Sequence, residues 1–213
     1  CEAIAQVSNV EEIFILPSVL SESSGVTFYN DKLISHNDSG NQNKLYEFDT
    51  ITGVITREII IENATNVDWE DIAQDDSSIY ISDIGNNNGS RTDLKIYKIS
   101  KDEYLDTNSL TAETISFNYS DQTDFSSNPN NTEWDAEALI SIDENNLILL
   151  TKNWVTEITK AYLIPKDSGM YTVDPLTTSL TDAGLITGAT YNELTGVEYL
   201  AGYNSILQPF VWI

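Results

Sequence analysis

Four stretches of the chain repeat one short plan, and this repetition constrains the fold more than any other feature. An acidic or small polar start leads into a brief apolar strand, a turn follows, and a second strand runs out into another polar cluster. The pairs are Glu22-Ser-Ser-Gly-Val-Thr-Phe28 with Leu33-Ile-Ser-His-Asn-Asp-Ser-Gly40, Asp68-Trp-Glu-Asp-Ile-Ala73 with Ile79-Tyr-Ile-Ser-Asp-Ile-Gly-Asn86, Trp134-Asp-Ala-Glu-Ala-Leu139 with Leu147-Ile-Leu-Leu-Thr-Lys-Asn153, and Leu185-Ile-Thr-Gly-Ala-Thr190 with Glu198-Tyr-Leu-Ala-Gly-Tyr-Asn204. A unit of this size cannot bury its apolar strands alone, so it must stack against its own kind.

Strand signals dominate between these landmarks. Glu11–Leu16, Val26–Tyr29, Lys32–His36, Lys44–Asp49 and Val54–Ile61 are rich in Ile, Val, Phe, Tyr and Thr, with Asn30-Asp31 and Thr52-Gly53 at turns. The second unit is expected to run from Asp68 through Leu94–Ile99 to Thr114–Tyr119. The third runs from Trp134 through Ala161–Pro165 to Met170–Val173. The best helix candidate, Asp102–Leu110, is short and polar. Steps of 46, 66 and 51 positions separate Val26, Ile72, Ala138 and Ala189, and the polar stretch Ser120–Thr132 accounts for the longest.

These spacings predict an all-β protein: a β-propeller of four-stranded antiparallel blades, about four in this chain and six in a complete ring. Residues 1–10 read as a tether and 11–213 as the propeller domain, C-terminally incomplete. Glu12–Leu16 is expected to close the ring against a last blade.

Lys and Arg number 10 against 34 Asp and Glu, a formal charge of -24 that repels nucleic acid phosphates and anionic lipid headgroups. Nucleic acid is therefore no partner. No apolar run reaches the ~18 residues of a membrane-spanning helix. Cys1 is the sole cysteine, which excludes an intrachain disulfide and thiolate zinc clusters. Its position before a polar segment reads either as the lipid attachment site of a bacterial lipoprotein or as a fragment start. Lipid on Cys1 would be the protein's one membrane link.

Each innermost strand must be apolar along its length, so its polar residues fall at its ends. Antiparallel return brings the end of the second strand beside the start of the first. This pairing predicts Asp71 near Asp83, Glu137 near Thr151, Asp135 near Asn153, and Gly25 near His36. By repeat symmetry Asp68, Glu70, Asp71, Asp83, Asp135 and Glu137 become candidate metal ligands at one channel mouth. His36, Asp38, Asn86, Lys152 and Asn153 are candidate ligand-binding residues beside them. Crowded carboxylates are costly to keep ionised in a partly buried site without a counter-charge. A cation resolves this, and Ca²⁺ suits Asp, Glu, Asn and carbonyl oxygens. The competing reading is a set of solvated turns, because Asp83-Ile-Gly-Asn-Asn-Asn-Gly89 suits a turn and no EF-hand loop is present.

His36 is the one imidazole, and no Gly-x-Ser-x-Gly elbow accompanies it, which argues against Ser-His-Asp catalysis. Trp69, Trp134 and Trp154 flank the acidic starts, as inter-blade packing or as a stacking wall. The N-glycosylation-type tripeptides at Asn37, Asn63, Asn88 and Asn118 are expected by chance in so Asn-rich a chain.

Asp68-Trp-Glu-Asp-Ile-Ala with Ile79-Tyr-Ile-Ser-Asp-Ile-Gly-Asn-Asn, and Trp134-Asp-Ala-Glu-Ala-Leu, resemble the acidic-start, returning-strand pattern of bacterial phytase-like and SdiA-regulated-type six-bladed propellers. Tyr203 and Leu207-Gln-Pro-Phe look like secreted or surface proteins of Bacteroidetes. The resemblance implies a calcium-associated propeller. Phytases of that kind gather several basic residues at the phosphate, whereas here only Lys152 falls at the expected mouth, with Arg91 nearby.

The leading expectation is a non-enzymatic extracytoplasmic propeller, secreted or a lipoprotein of the cell surface or outer membrane, binding a ligand or partner protein at an acidic mouth through Ca²⁺. The rivals are a calcium-dependent hydrolase of phosphate esters or lactones, with Glu70, Asp83, Asp135 and Glu137 around the ion, and a scaffold subunit of a cell-surface assembly.

Overall fold

Turn chemistry determines where the strands reverse. Asn30 and Asp31 both adopt positive φ, 50° and 59°, the geometry of a two-residue hairpin whose twist matches its strands. Other reversals use a side-chain oxygen in place of a backbone acceptor. Asp75 Oδ1 accepts from the backbone N–H groups of Ser77 and Ser78, both at 2.9 Å. Asp143 Oδ1 does the same for Asn145 and Asn146, both at 2.7 Å. A share of the acidic residues is thus turn-forming.

The computed structural model describes residues 11–181, 184–192 and 194–213. Cys1 and the tether expected over 1–10 lie outside the described residues. The fold class is the expected one: all-β, of the β-propeller kind, with blades following one another along the chain. The chain divides into two compact bodies, Asn9–Asp83 with Ile96–Thr114, and Ile84–Lys95 with Ile115–Ile213.

In the first body β1 (Ser23–Tyr29), β2 (Lys32–Asn37), β3 (Lys44–Asp49) and β4 (Ile55–Ile61) form an antiparallel blade in sequence order. β5 (Trp69–Gln74) and β6 (Ser78–Asp83) make the next hairpin, followed by β7 (Lys95–Ser100). Ile34, Leu45, Ile59 and Ile61 pack with Trp69, Ile72, Ile79, Ile81, Tyr97 and Ile99 into one core. Gly25 makes this approach possible: a Cβ there would lie 2.6 Å from the Ile72 nitrogen and 2.8 Å from Asp71 backbone carbons. Backbone cannot yield as a flexible side chain does, so Gly25→Ala is expected to cost about 2–3 kcal/mol in denaturant unfolding. A neutral variant would show that the strands part freely.

The helix α1 (Lys101–Asp106) starts at Ser100, whose hydroxyl accepts from the Asp102 N–H at 3.2 Å. It ends four residues before the expected Leu110. Thr107 is extended there, and Arg57 draws the chain off by donating to the Tyr104 and Thr107 carbonyls at 2.6 and 3.0 Å. The released segment forms β8 (Ser109–Leu110), which covers the β4 edge in parallel.

The second body holds β9 (Glu113–Tyr119) from Ile115 onward. It also holds β10 (Ala136–Ser141), β11 (Asn146–Thr151), β12 (Thr159–Pro165), β13 (Gly169–Val173), β14 (Pro175–Leu180), β15 (Leu185–Asn192), β16 (Val197–Tyr203) and β17 (Pro209–Trp212). Ala138, Ile140 and Leu150 pack against Ile186 and Leu200 in its core.

Two strand assignments change. Met170–Val173 is not the outer strand of the third blade: β14 takes that place beside β12, while β13 pairs in parallel with β9, from Gly169↔Ile115 to Val173↔Tyr119. Glu11–Leu16 is not a strand. Instead Phe14 packs edge-on against Phe48 at 6.3 Å, and Phe14, Leu16 and Leu20 cover one face of the first blade.

Candidate functional site

Register breaks at the start of each innermost strand shape the candidate residues. β1, β5, β10 and β15 each carry a bulge, between Ser23 and Val26, Trp69 and Asp71, Ala136 and Ala138, and Ile186 and Gly188. A bulge inserts an extra residue and re-aims side chains around it. In β5 the extra residue is Glu70, and in β10 it is Glu137. The bulges correct the expected pairings by one step: Asp71 lies opposite Ser82 while Asp83 faces Trp69, and Thr151 faces Ala136 rather than Glu137. Asp135 meets the neighbour of Asn153, its carbonyl accepting from the Lys152 N–H at 2.8 Å.

The sequence candidates fall in two sets, one in each body. In the first body, carboxylate oxygens of Asp38, Asp68 and Glu70 lie within 4.8 Å of one another. Asp38 follows β2, and Asp68 and Glu70 flank Trp69 at the start of β5. Asn66, which the sequence reading missed, joins the two segments. Its amide nitrogen donates to the Asn37 and Asp38 carbonyls, each at 2.9 Å, while its oxygen accepts from the Trp69 N–H at 3.2 Å. The signal was a polar side chain three residues before a strand start, an Asx-turn position. Ser24 in the neighbouring bulge donates to the Glu70 carbonyl at 2.6 Å.

Asp71 and Asp83 are directed elsewhere. Asp71 Oδ1 accepts from the Ile72 N–H at 2.8 Å, and Asp83 Oδ1 accepts from the Asp68 N–H at 3.1 Å, bracing the triad's backbone. His36 is fully buried, its Nδ1 3.1 Å from the Asn37 carbonyl and its ring edge-on to Trp69 at 5.6 Å. Burial lowers its pKa to about 4, against the opposing pull of the Asn37 and Asp71 backbone and the Asp38 charge. A neutral imidazole with no exposed surface cannot take a proton from a substrate. Removing the staple should loosen the triad: Asn66→Ala is expected to cost about 2 kcal/mol in unfolding, because it removes three hydrogen bonds and takes the side-chain acceptor from the buried Trp69 N–H.

In the second body Asp135 is the organising residue. It is buried, and burial raises its pKa, opposed by the Asn86 N–H at 2.6 Å, the Trp154 indole N–H at 2.7 Å and the Lys152 charge. Asn86 is committed to its turn, donating to the Trp134 carbonyl at 3.1 Å and accepting from the Arg91 N–H at 2.9 Å. Asn153 accepts from the N–H groups of Val155 and Thr156, both at 3.0 Å, closing the loop after β11.

Glu137 pairs with the buried Lys152, whose ammonium lies 4.6 Å from the centre of the Trp154 ring and 5.3 Å from that of Tyr203. Burial disfavours the Lys152 charge, but Glu137 and Tyr203 outweigh it and its pKa is raised. It is a held cation, not a nucleophile. The tryptophans are engaged rather than open: Trp69 is buried, and Lys160 lies 5.0 Å from the Trp134 ring centre. Lys160 is itself held by Asp121 and Glu133, each at 2.8 Å.

The two sets differ in kind. The second supplies a compensated, hydrogen-bonded scaffold. The first brings three carboxylates together at the end of a blade, a donor set of the type hard cations take. Fold and site together define a propeller-type protein with an acidic cluster. No family model matches the chain, so the phytase-like and SdiA-regulated resemblance gains no support there, and no curated protein matches it. Among solved structures, the crystal structure of BamB from Moraxella catarrhalis is similar at 10% sequence identity, covering 88% of this chain and 71% of that one, with a TM-score of 0.32.

Proposed function

We propose that this chain is a non-enzymatic binding module that works outside the cytoplasm and uses Ca²⁺ held by Asp38, Asp68 and Glu70 to engage a ligand or partner protein. The observation that carries the reading is the approach of their oxygens to within 4.8 Å. Carboxylates so close repel one another unless a cation neutralises them, and Ca²⁺ accepts oxygen ligands in irregular geometry. Three side chains, from the segment after β2 and the start of β5, make a modest site, with Kd on the order of 10⁻⁴–10⁻³ M. The extracytoplasmic setting rests on the likeness of Tyr203 and Leu207-Gln-Pro-Phe to secreted or surface proteins.

The burial of His36 and the pairing of Lys152 with Glu137 support a binding role over hydrolysis. A calcium-activated water is the remaining route to a hydrolase, and it would use the same ion.

Calorimetric titration with Ca²⁺ after chelation tests the site. The wild type should release or absorb heat and melt several degrees higher at ~10 mM Ca²⁺. Glu70→Gln should weaken binding at least ~10-fold while remaining folded. Absence of both heat and melting shift in the wild type would remove calcium from the proposal. Turnover of phosphodiesters or lactones, lost in Glu70→Gln, would replace binding with hydrolysis.

A further inference from the structure

We draw no further inference here: the strongest candidate, the exposed apolar face that Val26 and Phe28 give the innermost strand of the first blade, carries nothing because nothing in the structure shows what covers it.

Discussion

Lys152→Met should destabilise the protein by about 3–5 kcal/mol, among the largest effects of any single substitution outside the core. The ammonium and the Glu137 carboxylate form an ion pair with side chains only 9% and 11% exposed. Methionine keeps most of the volume and can still lie against Trp154 and Tyr203, so lost packing contributes little. What remains is a nearly buried carboxylate deprived of the lysine that faces it. Removing both charges, in Lys152→Met with Glu137→Leu, should restore most of the loss, since a well-packed apolar pair often equals a buried ion pair. Urea unfolding at pH 7 measures both. A double variant as unstable as the single one would mean that Glu137 answers to another group, and that the pair is incidental. The gap between the single variant and the wild type should also narrow as pH falls toward 5, because a carboxyl without its cation takes up a proton more readily.

The reach of sequence reading here was set by distance along the chain. Hairpins were legible because their determinants are local: Asn30-Asp31 supplies positive φ, and Asp75 and Asp143 cap the next turns within three residues. The edge strands were not. β8 meets β4 at Ile60↔Ser109, and β13 meets β9 at Gly169↔Ile115, partners 49 and 54 positions apart whose short sequences advertise nothing but extended backbone. Glu11–Leu16 ends in the apolar, β-branched and aromatic run Ile13-Phe-Ile-Leu16, the composition of a strand. Its Phe14 and Leu16 nevertheless reach the Phe48 cluster without a ladder, leaving Ile13 and Ile15 exposed.

The same limit governs the candidate site. Asp68 and Glu70 come from one motif and Asp38 from another, and their common location at strand ends follows from the repeat. Which carboxylates would converge did not follow. A one-residue bulge at Glu70 decides it, by placing Asp71 against Ser82 and the Ile72 N–H. A bulge is an extra residue in the pairing of two strands, which no periodicity in a single strand records.

Stability should fall as the solution is acidified from pH 6.5 to pH 4, and His36 should be the cause. The folded protein holds its imidazole neutral with a pKa of about 4, against 6.5 when exposed. Above pH 6.5 both states are neutral and nothing is lost. Between the two values the unfolded chain binds a proton that the folded chain refuses, so folding weakens with each step down in pH, by about 3 kcal/mol over the window. Asp135, whose pKa burial raises, acts in the opposite sense, since its folded form welcomes a proton. Asp49, held near 2 by the Thr52 and Ile51 N–H groups and Lys32, stays charged throughout and enters only at lower pH. His36→Phe separates these contributions. Phenylalanine preserves the ring against Trp69 and has nothing to protonate. It gives up the contacts to the Asn37 and Asp71 backbone, but the Asn37 carbonyl still accepts from Asn66 at 2.9 Å and the Asp71 carbonyl from the Ser82 hydroxyl at 2.8 Å. The variant should therefore lose about 1 kcal/mol at pH 8 and then track above the wild type as pH falls, the curves crossing near pH 5 to 6. Urea unfolding in chelator from pH 8 to 4.5 supplies both curves. Parallel curves would show that His36 is protonated as easily inside the fold as outside it, and its burial would then have no electrostatic consequence.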